Sequence, residues 1–177
     1  MPQAKNEEEL RNMLRSPIMK AINYVLDKIY DENIGAVHDV VYMAYSPEDY
    51  NRTGELYTAW SKESKSTSSA GMGEFKYDPS KMSIGSTDPN SSDFAQHIGV
   101  GGEFYGQDAR PYLAELIYQG KTGALFGNGA FRKKRDAWLE LNNRIGRRKI
   151  KQWFKEGFEK AGLTVKMHNE AIKVTES

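Results

Sequence analysis

A chain of 177 residues with no cysteine is the size of one ordinary domain, and it excludes disulfides, thiolate nucleophiles and cysteine-ligated zinc. Its formal net charge of +1 provides no overall field that would favour nucleic acid, and no apolar run approaches the roughly 20 residues that span a bilayer. A hydrophobic content of 38% with a mean hydropathy of −0.71 is typical of a subunit that buries surface against neighbours, or of one with long exposed loops.

The N-terminal third of the chain predicts amphipathic helices. Residues 1–15 are polar and acidic, which predicts an N-terminal arm and not a signal peptide. Leu10, Met13 and Leu14 begin a helical pattern, and Ser16-Pro17 has the pattern of a restart, with serine as N-cap and proline at the first helical position. The apolar residues that follow recur at intervals of three and four: Ile18, Ile22, Val25, Leu26, Ile29 and Tyr30. Beyond Gly35, the valines of residues 37–41 favour a second helix over a strand, and Ser46-Pro47 is predicted to end it.

The middle of the chain predicts a small antiparallel sheet. Residues 55–61 alternate as in a first strand, and residues 74–82 alternate before Asp78-Pro79, which reads as a strand end. Residues 62–73 are rich in serine, lysine and glycine and predict a mobile hairpin or a long loop. Residues 83–107 predict a second long loop. Two such loops in a small domain indicate function, disorder or order that depends on assembly.

The C-terminal part returns to helices. Asp108 is the predicted N-cap of a helix that has Pro111 in its first turn and ends at Gly120. A glycine turn then leads into a basic amphipathic helix with a kink near Gly146 and a C-cap at Gly162. Residues 164–177 are a short strand or tail. The sequence therefore predicts one α+β domain over residues 1–177: N-terminal amphipathic helices, a small antiparallel sheet with long hairpin loops, and a C-terminal amphipathic helix.

The candidate interaction site is a set of basic residues in that last helix, where eleven basic residues face only four acidic ones between 132 and 160. Four of them cluster in its predicted first turn, although cations oppose the helix dipole there. The set comprises Arg132, Lys133, Lys134, Arg135, Arg147, Arg148, Lys149 and Lys151. It indicates an acidic partner, either protein or nucleic acid, or else a solvated collar around an anchored helix. Trp138, Trp153 and Phe154 are predicted to face the core, which leaves charge alone as an argument for nucleic acid.

Motifs for catalysis are incomplete. Gly120-Lys121-Thr122 matches only the tail of a phosphate-binding loop, because the position five residues before Gly120 is Glu115 and a helix precedes it. The histidines lie far apart and lack metal-ligand spacing: His38, His97 and His168. A hydrolytic or nuclease centre would pair His97 with an aspartate of the loop region: Asp78, Asp93 or Asp108. Because aspartates before proline and serine are common turn formers, we expect no enzyme, no metal and no cofactor.

Several stretches in order carry a family resemblance. An amphipathic helix leads into residues 46–56, where a helix ends at a proline, an Arg-containing Thr-Gly turn follows and a strand begins. A sheet with a polar hairpin, residues 109–117, residues 126–138 and a final helix ending at Gly162-Leu163 follow. In this order the chain resembles the tail-completion or head–tail joining proteins of the neck of long-tailed bacteriophages. The long loop after residue 82 and the glycine-interrupted last helix depart from the family and leave the neck position open.

The resemblance implies a structural virion protein without catalysis that forms a ring, a homo-hexamer, at the phage neck. It implies assembly in the host bacterial cytoplasm, with other copies, adjoining neck and tail proteins and the DNA of the channel as partners, and with no membrane. In such a ring an acidic part (Glu7–Glu9, Asp27, Asp31 and Glu32) would meet the basic part of the next subunit or face an adjoining ring. The alternatives are a tail terminator, a head-closure subunit, a minor capsid protein, or a nucleic-acid-binding module that uses the basic helix 132–160.

Overall fold

One long helix organises the fold. The structure is a computed structural model that describes residues 4–44, 54–67, 70–82, 110–120 and 134–165. Helix α1, Glu7–Val37, has 31 residues and continues directly into a π-helical turn, His38–Tyr42. At a rise of about 1.5 Å per residue, α1 is about 46 Å long. Every other element packs along it or beside its C-terminal end.

The remaining elements are short apart from the last helix. They are α2, Glu55–Thr58; β1, Trp60–Ser66; β2, Gly71–Tyr77; 3-10 turns at Pro79–Lys81 and Arg110–Tyr112; α3, Leu113–Gln119; and α4, Ala137–Lys160. Strands β1 and β2 pair antiparallel in a hairpin, with Trp60 opposite Tyr77 and Ser66 opposite Gly71. A mostly helical chain with one small antiparallel sheet and a C-terminal helix confirms the predicted α+β class.

Helix α1 begins earlier than predicted. Asn6 is its N-cap and accepts a hydrogen bond from the Glu9 amide at 2.8 Å, while the Glu9 carboxylate accepts one from the Lys5 amide at 2.7 Å. The helical pattern predicted from Leu10 is therefore confirmed, whereas the restart predicted at Ser16-Pro17 is wrong, because Pro17 lies inside the helix. The reciprocal cap and the uninterrupted apolar spacing outweigh the one donor that proline lacks.

The helical interpretation of residues 37–42 is confirmed, but the predicted interruption at Gly35 is wrong. Helix α1 runs through Gly35 to Val37 before it widens into the π-helical turn. Gly35 lies against the side chain of Arg144 from α4. Packing against Arg144, and not a bend in the helix, therefore accounts for the glycine at this position. The predicted stop at Ser46-Pro47 lies outside the described residues.

The hairpin packs flat on α1 because two of its residues are glycines. A Cβ on Gly71 would lie 2.6 Å from Ile22 Cδ1, and one on Gly73 would lie 2.8 Å from Ile22 Cγ2. At the other end of β2, Phe75 stacks on Trp60 with ring centroids 5.3 Å apart. The described residues of 62–73 thus form the hairpin, as one of the two predictions had it, and the strand over 74–82 is confirmed as far as Tyr77.

The predicted strand over residues 55–61 is wrong in its first part. Residues 55–58 form the single turn α2, and β1 begins only at Trp60. Leu56 and Trp60 are both buried, and the Trp60 indole Nε1–H donates to the Leu56 carbonyl at 3.0 Å. This i, i+4 contact favours a helical turn. Alternation over so few residues does not separate the two possibilities.

Helix α4 runs antiparallel along α1 and forms one cluster of the core with it. Leu141, Ile145 and Trp153 are buried against Val25 and Ala36 of α1. The kink predicted near Gly146 is confirmed: its φ of 45° and ψ of 164° are non-helical.

Both predicted glycine caps are confirmed. The last helix ends at Lys160, and Gly162 follows with φ +86° while the Leu163 amide donates to the Phe158 carbonyl at 3.0 Å. The helix predicted around residues 112–118 is α3, and Gly120 caps it with φ 72°. Its proposed N-cap Asp108, the loop over 83–107, the glycine turn before residue 134 and the tail beyond residue 165 lie outside the described residues.

Candidate functional site

The N-terminal two turns of α1, residues 7–14, extend past the elements that cover the rest of the helix. We call these residues the α1 extension. Contacts from α4 reach Ala21, which meets Gly157, and contacts from the hairpin reach Arg15, whose guanidinium donates to the Thr67 carbonyl at 3.0 Å. Beyond them Leu10 is 46% exposed and Met13 is 39% exposed. The apolar stripe of α1 therefore continues onto surface that the described part of the chain leaves uncovered.

Lys134 and Arg135 precede α4 and do not lie in its first turn. Asp136 is the N-cap: its carboxylate accepts from the Leu139 amide at 2.9 Å and lies 3.3 Å from Lys134 Nζ. The predicted position of the first basic cluster is therefore wrong for these two residues, and Arg132-Lys133 lies outside the described residues. A carboxylate and not a cation occupies the positive end of the helix dipole, as electrostatics favours.

The second basic cluster follows the break in α4. Arg147 and Arg148 are exposed and Lys151 is half-exposed. No carboxylate within the described ranges forms an ion pair with any of the three. Gly146, directly before them, has open space around its α-carbon. We call Arg147, Arg148 and Lys151 the basic segment. About 18 Å of helix separates it from Arg135, so the basic residues form two groups and not one.

Some charges that are separate in sequence pair within the chain. Because α4 is antiparallel to α1, Lys149 Nζ lies 2.8 Å from Glu32 Oε1. On the other flank of α1, Lys62 Nζ lies 2.6 Å from Asp27 Oδ1. Three of the charges assigned to contacts between subunits are thus satisfied internally. Glu7 is likewise paired with Arg11 at 2.6 Å. Of the charges assigned to such contacts, Glu8, Glu9, Asp31 and the basic segment form no ion pair within the described residues.

Arg144 ties the start of α4 to the end of α1. Its guanidinium lies 2.6 Å from Asp39 Oδ2 and 2.8 Å from Glu140 Oε1. The hydrogen bond from Arg144 is the main cause that lowers the pKa of Asp39, and the same bond raises the pKa of Arg144. The bond fixes the first half of α4 against α1, so the basic segment begins from a defined position.

Trp138 is a surface residue, which corrects the prediction that it faces the core. Its ring stacks on Trp60 at 5.8 Å and on Phe75 at 6.5 Å, yet it is 43% exposed. The next residue, Leu139, is 53% exposed. The same prediction is confirmed for Trp153, which is buried, and Phe154 is half-buried. Trp138 does point toward the hairpin, but the hairpin covers only part of the first turn of α4.

Asp78 is the member of the proposed hydrolytic centre that lies within the described residues, and its role there is structural. Asp78 caps the 3-10 turn that begins at Pro79, and one oxygen accepts from the Ser80 amide at 3.1 Å and from the Ser80 hydroxyl at 2.5 Å. These bonds lower the pKa of Asp78. The turn-forming interpretation of Asp78 is thereby confirmed, whereas the other members of the centre lie outside the described residues: Asp93, His97 and Asp108.

Metal binding and membrane insertion have no support in the described residues. They contain no group of three or more histidine, cysteine or acidic side chains placed to hold a metal ion. Within the same residues, no helix has both the length and the apolar character needed to cross a membrane. His38 is used locally, because its Nδ1 lies 2.8 Å from the Tyr57 hydroxyl.

The sequence singled out the acidic residues Glu7–Glu9 of the α1 extension, but not the apolar residues of that extension or the Trp138-Leu139 surface. The only signal was the apolar spacing of Leu10 and Met13, which the chain shares with its buried helices. Periodicity shows which face of a helix is apolar, but the tertiary structure decides how far along the helix that face is covered.

These surfaces define a class: a small α+β protein built on one long helix, with charged and apolar surfaces near the two ends of α1 that the described residues leave uncovered. The chain belongs to the YomN family, whose sequence model matches residues 6–160. Membership of this Bacillus phage-derived family associates the protein with bacteriophages. No curated protein and no solved structure matches the chain.

Proposed function

We propose that this protein is a structural virion protein of a tailed phage that assembles into a ring at the neck, where it completes the tail or joins head to tail. The α1 extension carries the proposal. Its exposed Leu10 and Met13 continue the core-facing stripe of α1 beyond the covered part of the helix. Apolar side chains that form an ordered stripe on a rigid helix are suited to a protein partner. The phage association of the family supports a virion context.

In this proposal the protein acts by binding and not by catalysis. Its partners are further copies of itself in a hexameric ring, the adjoining neck and tail proteins, and the DNA that passes through the channel. It is made in the host cytoplasm and resides in the virion. A head-to-tail contact between copies closes into a ring when its rotation closes, and no membrane is needed.

The test is the mass of the purified full chain in solution, measured by light scattering over a wide range of concentrations. We expect a closed species at a fixed multiple of the 20.1 kDa chain mass. Growth without a plateau would contradict a closed ring, and a monomer at every concentration would contradict self-assembly. In a phage that lacks the protein, we expect heads and tails that fail to join. Joined, infectious particles would overturn the neck assignment.

The basic segment favours a second candidate, a nucleic-acid-binding module. Arg147 and Arg148 are exposed and have no acidic partner in the described ranges, so they are free to contact phosphates. This reading predicts DNA affinity that falls steeply with salt, and a loss of affinity on Arg147→Glu. DNA binding that is absent at low salt, or that is unchanged in this variant, would remove the candidate.

A further inference from the structure

We propose that the acidic α1 extension of one copy binds the exposed face of α4 around Gly146 in a second copy, with Leu139 and the basic segment as the receiving surface. The inference rests on the proposed ring and names the contact that would build it. It commits to a second copy of this chain as the occupant of the uncovered stripe.

The charges of the two surfaces are complementary. The α1 extension begins with Glu7, Glu8 and Glu9, all exposed. Glu7 Oε1 lies 2.6 Å from Arg11 Nη2, and because Arg11 is the one basic residue of positions 7–14, Glu8 and Glu9 remain as excess negative charge. Its first turn is favourable for acidic residues because of the helix dipole. Arg147 and Arg148 on α4 supply the opposite charge. Charge complementarity of this kind selects a partner and its orientation more than it adds affinity.

The apolar parts of the two surfaces also correspond. Leu10 and Met13 follow the acidic residues by less than two turns. On α4, Leu139 is 53% exposed and precedes the basic segment by about two turns. Between them Asn142, Asn143 and Gly146 are exposed and uncharged. A Cβ at position 146 would meet nothing within 4 Å among the described residues, so the backbone is open at this point of the face.

The two surfaces cannot meet within one chain. Lys149, directly after Arg148, is paired with Glu32, which lies 24 residues after Glu8 on the same helix. At about 1.5 Å per residue the acidic end and the basic segment are about 36 Å apart along α1. Leu139 is farther still from the extension, because Arg144 is paired with Asp39. Any contact between the two surfaces is therefore a contact between copies.

The test uses charge reversal in the full chain. We expect the single variants Glu8→Lys and Arg148→Glu each to raise the concentration at which the protein associates by at least about tenfold, which is about 1.4 kcal/mol. The double variant combines both changes in one chain, restores opposite charges across the contact and regains association. Lys20→Glu, a matched change on exposed surface outside both sets, should associate as the wild type does. Circular dichroism verifies that each variant is folded.

Introduced cysteines give a second, independent test, because the chain has none. A chain that carries both Leu10→Cys and Leu139→Cys should form a ladder of disulfide-linked oligomers on mild oxidation. The distance along α1 rules out the corresponding link within one chain. Each single-cysteine variant should remain unlinked, and dimers from Leu10→Cys alone would indicate a symmetric contact and overturn the proposal.

The outcomes separate this contact from the ring itself. If both charge-reversal variants associate like the wild type, the contact is refuted while ring formation stands. A wild-type chain that stays monomeric refutes self-assembly and the contact together. If Arg148→Glu abolishes salt-sensitive binding of a DNA duplex and leaves association unchanged, the basic segment belongs to the nucleic-acid candidate and the contact is overturned.

Discussion

The closest approach of the two long helices gives a sharp stability prediction, for the substitution Gly157→Ala. An alanine Cβ at this position would lie 2.8 Å from Ala21 Cα and 3.2 Å from both the Cβ and the carbonyl oxygen of Ala21. Carbon atoms in contact are ordinarily about 3.5–4.0 Å apart. Because the obstructing atoms include the backbone of α1, no side-chain rotation relieves them, and α1 and α4 have to separate by about 1 Å.

Two effects of opposite sign decide the magnitude. Overpacking of a filled contact costs about 1–3 kcal/mol, and a collision with backbone belongs in the upper part of that range. Alanine is about 1 kcal/mol more favourable than glycine inside a helix. We therefore expect Gly157→Ala to lower the free energy of unfolding by about 1–2 kcal/mol. The separation would also loosen the packing of Trp153 against α1.

The assay is urea unfolding followed by circular dichroism at fixed protein concentration, with Gly35→Ala as the matched control. Gly35 is also helical, but the atom nearest to its added Cβ is Arg144 Nη1 at 2.7 Å, the end of a flexible side chain. The gain in helix propensity from glycine to alanine then offsets the cost of displacing the ion pair of Arg144. The free energy of unfolding of this variant should stay within about 0.5 kcal/mol of that of the wild type. If Gly157→Ala is as stable as Gly35→Ala, the two helices do not approach as closely as described.

Three further predictions concern local features. Gly146→Ala forces an alanine into φ 45° and ψ 164° or straightens α4, and should cost about 1–3 kcal/mol in urea unfolding, whereas Asn143→Ala on the same helix should change stability by a few tenths. Asp39→Asn should lower the urea midpoint at pH 7: the ordinary pKa of 3.8 is lowered in the fold by Arg144, so the contribution is complete above that value and is lost as the pH falls through the lowered pKa. If Asp39→Asn is still less stable than the wild type at pH values below the lowered pKa, the ion pair with Arg144 is not the cause. Asn33 is fully buried and neither polar atom of its side chain has a hydrogen-bond partner among the described residues, so Asn33→Leu should stabilise the fold by about 1 kcal/mol, and a lower melting temperature would refute this.

The parts of the fold that short-range chemistry decides could be predicted from the sequence. Helix α3 with its glycine cap, the break in α4 at Gly146 and the end of α4 at Gly162 depend on the backbone preferences of a few neighbouring residues. The apolar stripe of α1 was visible because it repeats over several turns. The hairpin was foreseen only as one of two alternatives, since the requirement for Gly71 and Gly73 comes from the helix beneath them.

The errors have a common physical origin in contacts between distant segments. Pro17 was taken for a helix restart because it is a strong local signal, yet the cap at Asn6 and the packed stripe carry α1 through it. The turn at residues 55–58 is helical because Trp60 reaches back to Leu56. Of the candidate site, the exposure of the basic segment followed from its composition. The pairing of Lys149 with Glu32 did not, because it needs the antiparallel packing of α1 and α4.

That antiparallel packing also limits the symmetry of assembly. It neutralises charge near the C-terminal end of α1, where Lys149 meets Glu32, and leaves acidic residues at the N-terminal end of the helix and the basic segment about 36 Å away. A twofold contact centred on the acidic turn of the α1 extension would set Glu7–Glu9 of one copy near the same residues of the other, and one centred on the basic segment would oppose arginines. Both arrangements place like charges together. Electrostatics therefore favours the head-to-tail contact, and only a head-to-tail contact generates a ring when its rotation closes.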